Sequence, residues 1–156
     1  MQPLYFVERE FEFPVSRLWS AWTIPAELEN WYCPVFLTVV PGSVTSDAVV
    51  GGTWAVAVDV SANGFNAYFW GKYEVVELNK KLVHDLNYSQ DELEFALAEP
   101  QPTAHRIEID FVENQAGCSV RFSQFGQMDP TQVDATREGM ESYFDNLSVH
   151  LNSYVQ

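Results

Sequence analysis

Basic side chains are scarce in this sequence, which has eight Lys and Arg residues against 22 Asp and Glu residues in a chain of 156. The resulting net charge of −14 repels the phosphates of nucleic acids and of anionic lipids. We therefore expect no nucleic-acid partner. The sequence also lacks an apolar run of 18 residues and a basic, then apolar N-terminal segment, so we expect a cytoplasmic protein without membrane insertion.

Cysteine and histidine are also rare. Cys33 and Cys118 are far apart in the chain, and neither belongs to a C-x-x-C pair. The three histidines, His84, His105 and His150, show none of the usual metal-binding spacings. A G-x-S-x-G elbow, a phosphate-binding glycine loop and a dinucleotide-binding fingerprint are absent as well. The sequence therefore predicts no metal site and no cofactor.

Hydrophobic residues, by contrast, make up 47% of the chain and aromatic residues 15%, which is ample for the core of one domain over residues 1–156. Alternation of apolar and polar residues, clearest in "TAHRIEIDFVEN", predicts antiparallel strands. The dipeptide Asn63-Gly64 accepts the positive φ angles of a type I′ turn and predicts a hairpin. Six strands are predicted, over residues 4–11, 53–60, 65–78, 80–88, 103–114 and 118–125.

Helical spacing of apolar residues after Pro14 and after Pro25 predicts two short helices that follow the first strand. A long C-terminal helix is predicted from Asp129, a good N-cap, and Pro130, a good first helical residue. It continues for about 24 residues, roughly 35 Å, interrupted only by Gly139. Its apolar stripe contains Val133, Met140, Phe144, Leu147, Leu151 and Tyr154.

Together these elements predict an α+β fold in which a curved antiparallel sheet of six to seven strands grips the long helix. A curved sheet does not fill its own concavity against a straight helix, so either bulky side chains or a ligand must occupy the gap. The alternative to a ligand cavity is an ordinary packed core. The predicted wall consists of Trp54, Val56, Phe69, Tyr73, His105, Ile107, Ile109, Phe122, Gln124, Met140, Phe144 and Leu147.

Two of these wall residues are polar. A buried imidazole or amide without a partner costs about 1 to 3 kcal/mol, so His105 and Gln124 each need a partner in the protein, in water or in a ligand.

Four segments of the sequence are similar to one known family. They are "FEFPVSRLWSAWTIPAELENWYCP", "VVGGTWAVAV", "FWGKYEVVELNKKLVHDL" and "REGMESYFDNLSVHL", and they occur in the same order over nearly the full length. The chain resembles the SRPBCC superfamily, which has the helix-grip (START-like) fold, and within it the family named after the activator of heat-shock protein 90 ATPase. Two departures from that family are Met140, where many members carry Trp, and an insertion at residues 90–102 that could act as a lid.

The resemblance implies a cavity between the sheet and the long helix that commonly holds an apolar or amphipathic small molecule. It also implies that Trp31, Tyr32 and Cys33, at the end of the second short helix, form one lip of the entrance. As a nucleophile Cys33 would need a nearby base, and no spacing in the sequence favours one. We therefore interpret Cys33 as part of the wall.

Three functions are consistent with these features. The first is binding of a small apolar or amphipathic molecule without catalysis. The second is an enzyme of the cyclase, dehydratase or hydrolase kind that uses His105 with Tyr73 or Asp59 as acid and base. The third, implied by the family's name alone, is a co-chaperone-like interaction protein, and we do not expect a chaperone partner for this chain.

Overall fold

A computed structural model describes residues 2–153, over which the chain forms eight strands and four α-helices. The strands are β1 (Tyr5–Phe11), β2 (Thr38–Val39), β3 (Thr45–Ser46), β4 (Thr53–Val60), β5 (Phe65–Glu77), β6 (Lys81–Ser89), β7 (His105–Asn114) and β8 (Gly117–Phe125). The helices are α1 (Val15–Thr23), α2 (Pro25–Trp31), α3 (Glu92–Leu97) and α4 (Pro130–Ser153), and one 3-10 turn covers Ser61–Asn63.

All strand pairs are antiparallel, and the sheet has the order β1-β8-β7-β6-β5-β4-β2, with β3 also paired to β4. This arrangement confirms the predicted α+β fold, with a curved sheet around a long C-terminal helix and two short helices after β1. Strands β2 and β3 were not predicted because two residues are too few to show alternation.

The predicted hairpin between β4 and β5 is confirmed, but its turn is longer than predicted. Strand pairing ends at Val60 and Phe65, so the connection contains four residues and includes the 3-10 turn. Gly64 closes this loop with a φ of 90°, a left-handed conformation that glycine adopts without steric cost. The Asn-Gly signal therefore identified the reversal correctly and its type incorrectly.

The concave face of the sheet packs on α4. Cross-strand neighbours such as Ile109 and Phe122 lie side by side on this face, and Phe144 and Leu147 of α4 are fully buried against it. At the start of α4, Asp129 Oδ1 accepts a hydrogen bond from the backbone N–H of Thr131 at 3.0 Å, which confirms the N-cap. The predicted stripe continues to Tyr154, which lies outside the described residues.

Polar contacts fix α2 against α4. The Glu27 carboxylate is fully buried and accepts hydrogen bonds from Arg17 at 2.5 Å and from His150 Nε2 at 2.9 Å. Asn146 Nδ2 of α4 donates to the carbonyl of Trp31 at 3.1 Å. Because removing one partner of a buried charge costs about 3 to 5 kcal/mol, these contacts hold the end of α2 at a fixed position beside the long helix.

Candidate functional site

A cavity of about 260 Å³ lies between the concave face of the sheet and the N-terminal half of α4. This volume is just below the range of about 300 to 1,000 Å³ that is usual for small-molecule pockets. Apolar and aromatic side chains supply most of its surface. The residues that line it are Tyr5, Tyr32, Phe69, Leu86, Phe122, Gln124, Thr136, Gly139, Met140 and Tyr143.

Half-buried residues mark the mouth of this cavity. Thr136, Gly139 and Tyr143 come from one face of α4, and Phe69 and Leu86 come from β5 and β6. A Cβ atom added at Gly139 would meet nothing within 4 Å, so the helix leaves open space here. Glycine inside a helix costs about 1 kcal/mol relative to alanine. The sequence therefore keeps room at the mouth at the expense of helix stability.

Four polar groups form a hydrogen-bonded chain that runs from the cavity lining to the protein surface. Tyr5 Oη donates to Gln124 Oε1 at 2.5 Å, and Gln124 Nε2 donates to His105 Nδ1 at 2.8 Å. His105 Nε2 lies 3.0 Å from the Gln127 carbonyl oxygen, which can only accept, so Nε2 carries the hydrogen of this bond. Gly126, with a φ of 150°, leaves room for the ring, because a Cβ there would lie 2.4 Å from it. His105 and Gln124 thus have protein partners.

Two further tyrosines border the cavity with free hydroxyl groups. The rings of Tyr32 and Tyr143 meet edge to face, with centroids 5.1 Å apart. Within residues 2–153, neither hydroxyl has a hydrogen-bond partner, and neither oxygen is sealed off by protein atoms. Burial raises the pKa of both phenols well above the usual value, so both remain neutral donors at physiological pH.

Cys33 and Trp31 pack close to the cavity but do not border it. The Cys33 thiol is 2% exposed and donates to the Leu37 carbonyl at 3.4 Å. Burial raises the pKa of this thiol to about 11, although the hydrogen bond from Asn146 lowers it, so the reactive thiolate is absent at neutral pH. Trp31 is fully buried and donates from Nε1 to the Ala21 carbonyl at 2.9 Å. Both residues support the wall rather than form it.

Of the predicted wall residues, the structure places Phe69, Phe122, Gln124 and Met140 at the cavity. The remaining strand and helix positions pack into the hydrophobic core. These core positions are Trp54, Val56, Tyr73, Ile107, Ile109, Phe144 and Leu147, while His105 stands behind Gln124.

Two of the core aromatics have partners of their own. Trp54 stacks on His84 with centroids 4.3 Å apart, and the Tyr73 hydroxyl bonds to Ser46 at 2.7 Å. Burial lowers the pKa of His84 to about 4, so this imidazole is neutral. The Tyr73 hydroxyl is therefore engaged within the protein, and neither aromatic residue borders the cavity.

The insertion at residues 90–102 lies on the convex face of the sheet, on the side opposite the cavity. Phe95 of α3 stacks on Tyr68 at 4.8 Å, and Trp70 Nε1 donates to a carbonyl of the same segment at 2.9 Å. Tyr68 and Trp70 point away from the face that carries Phe69, because side chains alternate along a strand. The segment is therefore not a lid over the cavity. It instead encloses a second pocket, of about 320 Å³, against the convex face.

The residues considered as acid and base, His105 with Tyr73 or Asp59, are not in contact. Asp59 is half-buried and its Oδ1 accepts a hydrogen bond from the Ser61 N–H at 2.8 Å. Burial raises the pKa of Tyr73 to about 12, and both ring nitrogens of His105 are engaged. Among residues 2–153, no group of three His, Cys, Asp or Glu side chains is arranged to hold a metal ion.

Tyr32, which the resemblance placed at the lip, does border the cavity. Sequence reasoning did not assign five of the lining residues, namely Tyr5, Leu86, Thr136, Gly139 and Tyr143. Tyr5 alternates with the buried Val7 on β1, so its face was readable. Thr136 and Tyr143 lie four residues before and three residues after Met140, the spacing of one helical face. The role of Gly139 had no such signal, since an open space beside a glycine depends on the partner sheet.

Comparisons with known proteins agree with this architecture. The family model for "Activator of Hsp90 ATPase homolog 1-like protein" matches residues 12–152. A solved structure of the AHSA1 protein from Silicibacter pomeroyi superposes with a TM-score of 0.78 at 18% identity, covering 95% of this chain and 96% of that chain. A protein from Chromobacterium violaceum gives 0.77 at 17% identity, covering 93% and 94%. A solution structure from Arthrobacter aurescens gives 0.77 at 20% identity, covering 97% and 87%.

At these identities the structural matches establish the fold alone. The search of curated proteins found no match. No helix within the described part of the chain has the length and hydrophobicity needed to span a membrane.

Proposed function

This chain belongs to the Activator of Hsp90 ATPase homolog 1-like family, and we propose that it binds a small apolar or amphipathic molecule in the cavity between the sheet and α4. The observation that supports this proposal is an apolar space with a buried floor and a half-buried mouth. Such a space, with a few polar groups that orient the ligand, is the usual composition of a small-molecule site. The proposal also agrees with the superfamily resemblance, which implies a ligand in the same place.

The size of the space favours an occupant over an empty core. Protein interiors are close-packed, and an empty cavity costs about 24 cal/mol per Å³. A sealed void of 260 Å³ would therefore cost on the order of 6 kcal/mol, a large share of the stability of a typical domain. Because the cavity has a mouth, water or a ligand can fill it, and an apolar ligand gains from displacing water beside Phe122 and Met140.

Binding of naphthalene, measured by titration calorimetry, tests the proposal. Met140 is buried at the cavity, so a Met140→Trp variant should fill the space and raise the Kd by at least about tenfold, or 1.4 kcal/mol. Val149 lies on the same helix but is 61% exposed, so Val149→Trp is a matched control that should bind like the wild type. Equal affinity of the folded Met140→Trp variant and the control, or no binding of naphthalene by the wild type, contradicts the proposal.

A further inference from the structure

The cavity offers hydrogen-bond donors that the protein itself does not use. The Tyr32 side chain is only 4% exposed, yet its hydroxyl has no partner among residues 2–153. The hydroxyl of Tyr143 is in the same condition, and the two rings are in contact. Neither oxygen is sealed off, so water or a ligand can reach each hydroxyl, and a hydroxyl left without an acceptor would cost about 1 to 3 kcal/mol.

The other polar groups of the lining are already engaged. Gln124 uses the oxygen of its amide for Tyr5 and the nitrogen for His105. Thr136 Oγ1 lies 2.8 Å from the Gln132 carbonyl and donates to it. Among the lining residues, Tyr32 and Tyr143 are therefore the ones whose hydroxyl hydrogens have no acceptor within residues 2–153. The complementary ligand group is an acceptor, and a carbonyl oxygen has two lone pairs that can accept both hydrogen bonds.

The acceptor should be neutral. The residues that line the cavity include no Lys, Arg or His, so a buried carboxylate would have no positive partner. The phenols supply no positive charge either, because a phenol is neutral when protonated, and burial raises the pKa of both and keeps them in that form. The net charge of −14 further disfavours an anion. An anionic fatty acid therefore fits this site poorly.

The ligand should also be small. A water molecule takes about 30 Å³ in the liquid, so 260 Å³ holds roughly nine waters, or an organic molecule of about 10 to 15 non-hydrogen atoms. From these observations we infer that the ligand is a neutral ketone or related carbonyl compound of one or two rings, and that its carbonyl oxygen accepts hydrogen bonds from Tyr32 and Tyr143. This inference rests on the proposed function, because it concerns the same cavity.

Three probes of equal size separate the inference from the proposed function. They are 2-acetylnaphthalene, 2-isopropenylnaphthalene and 2-naphthoate, which present the same ring system with a ketone, an alkene and a carboxylate. We expect the ketone to bind about tenfold more tightly than the alkene, because it replaces the hydrogen bonds of displaced water, and at least about tenfold more tightly than the carboxylate at pH 7.5.

Variants then assign the effect to the two hydroxyls. Tyr32→Phe and Tyr143→Phe should each weaken ketone binding by about threefold to tenfold and leave alkene binding within about twofold. Tyr68→Phe is the matched control, because Tyr68 is buried but points to the convex face, outside the cavity. Loss of binding of both probes in a Tyr→Phe variant would show a structural role for that tyrosine and overturn the inference.

The outcomes for the two proposals are distinct. If ketone and alkene bind equally well, the cavity binds apolar molecules and the inference on the carbonyl is wrong. If the carboxylate binds most tightly, the cavity is a binding site, but the inference that its ligand is neutral is wrong. If none of the three probes binds to the folded protein, the proposed function itself is contradicted.

Discussion

Gly139 gives the sharpest test of whether the space beside α4 serves a ligand. The residue lies in the interior of a helix of 24 residues, and a Cβ atom there would meet no neighbour within 4 Å. Gly139→Ala should therefore stabilise the protein by about 0.5 to 1 kcal/mol, because alanine has the higher helix propensity. For a chain of this size that gain corresponds to an increase in Tm of about 1 to 4 °C.

Gly139→Leu should separate stability from binding. Leucine adds four carbon atoms, each near the size of a water molecule with a liquid volume of about 30 Å³, so it removes roughly 120 Å³ of space. That is close to half of the cavity volume of about 260 Å³. We expect a Kd for naphthalene that rises by at least about tenfold, measured by calorimetry, in a protein whose Tm is equal to or above that of the wild type.

The control for this series is Glu138→Leu, since Glu138 lies one position earlier on the exposed face of α4 and should not change the affinity. A folded Gly139→Leu variant with the wild-type Kd would refute the reasoning that this glycine keeps the cavity open. A lowered Tm in Gly139→Ala would show that the space around the residue is not free.

Three further predictions concern other parts of the molecule. The pKa of His84 is about 4 in the folded state and about 6.5 in the unfolded state, so the unfolded state binds more protons between these values. The free energy of unfolding therefore decreases as the pH is lowered through this window. In urea unfolding, the free energy of unfolding of the wild type should decrease by about 2 to 3 kcal/mol more than that of His84→Asn between pH 7 and pH 4.5. Equal decreases would contradict the lowered pKa of His84. Cys33 is buried and its thiol has a pKa of about 11. It should therefore react with iodoacetamide at pH 7.5 at least about a hundredfold more slowly in the native protein than in the urea-unfolded protein, as measured by mass spectrometry of the labelled peptide. Similar rates in the two states would show that the thiol is not buried. Phe95→Ala should cost about 1 to 2 kcal/mol, measured by urea unfolding, because it removes the stacking on Tyr68, and should leave the Kd for naphthalene within about twofold; a tenfold change in Kd would mean that the insertion does reach the cavity.

Much of the fold was predictable because local patterns and tertiary packing agree. The alternation in β7 and β8 specifies a strand register that buries the apolar faces of both strands. The structure has this register, with Ile109 opposite Phe122. The start of α4 was equally readable, since Asp129 and Pro130 are a cap and a first residue with a physical role. Strands β2 and β3 escaped prediction because each is held by pairing to β4 and not by its own pattern.

The site was less predictable than the fold for a geometric reason. A periodic pattern tells which side chains point inward, but not where along the sheet the helix separates from it. Phe144 and Phe122 both point inward, yet only Phe122 borders the open space. The sequence pattern also does not predict which face of the sheet residues 90–102 cover, because contacts such as that of Phe95 with Tyr68 determine it.

The most direct test of a ligand-binding cavity is an NMR titration of protein labelled with ¹³C at the methionine methyl groups. Met140 lines the cavity, whereas Met128 lies outside it, and Met140→Leu identifies the Met140 signal. On addition of 2-acetylnaphthalene, the methyl signal of Met140 should shift in a saturable manner, and that of Met128 should move much less. If the Met140 signal stays in place at millimolar ketone in the folded protein, the cavity between the sheet and α4 is not a binding site.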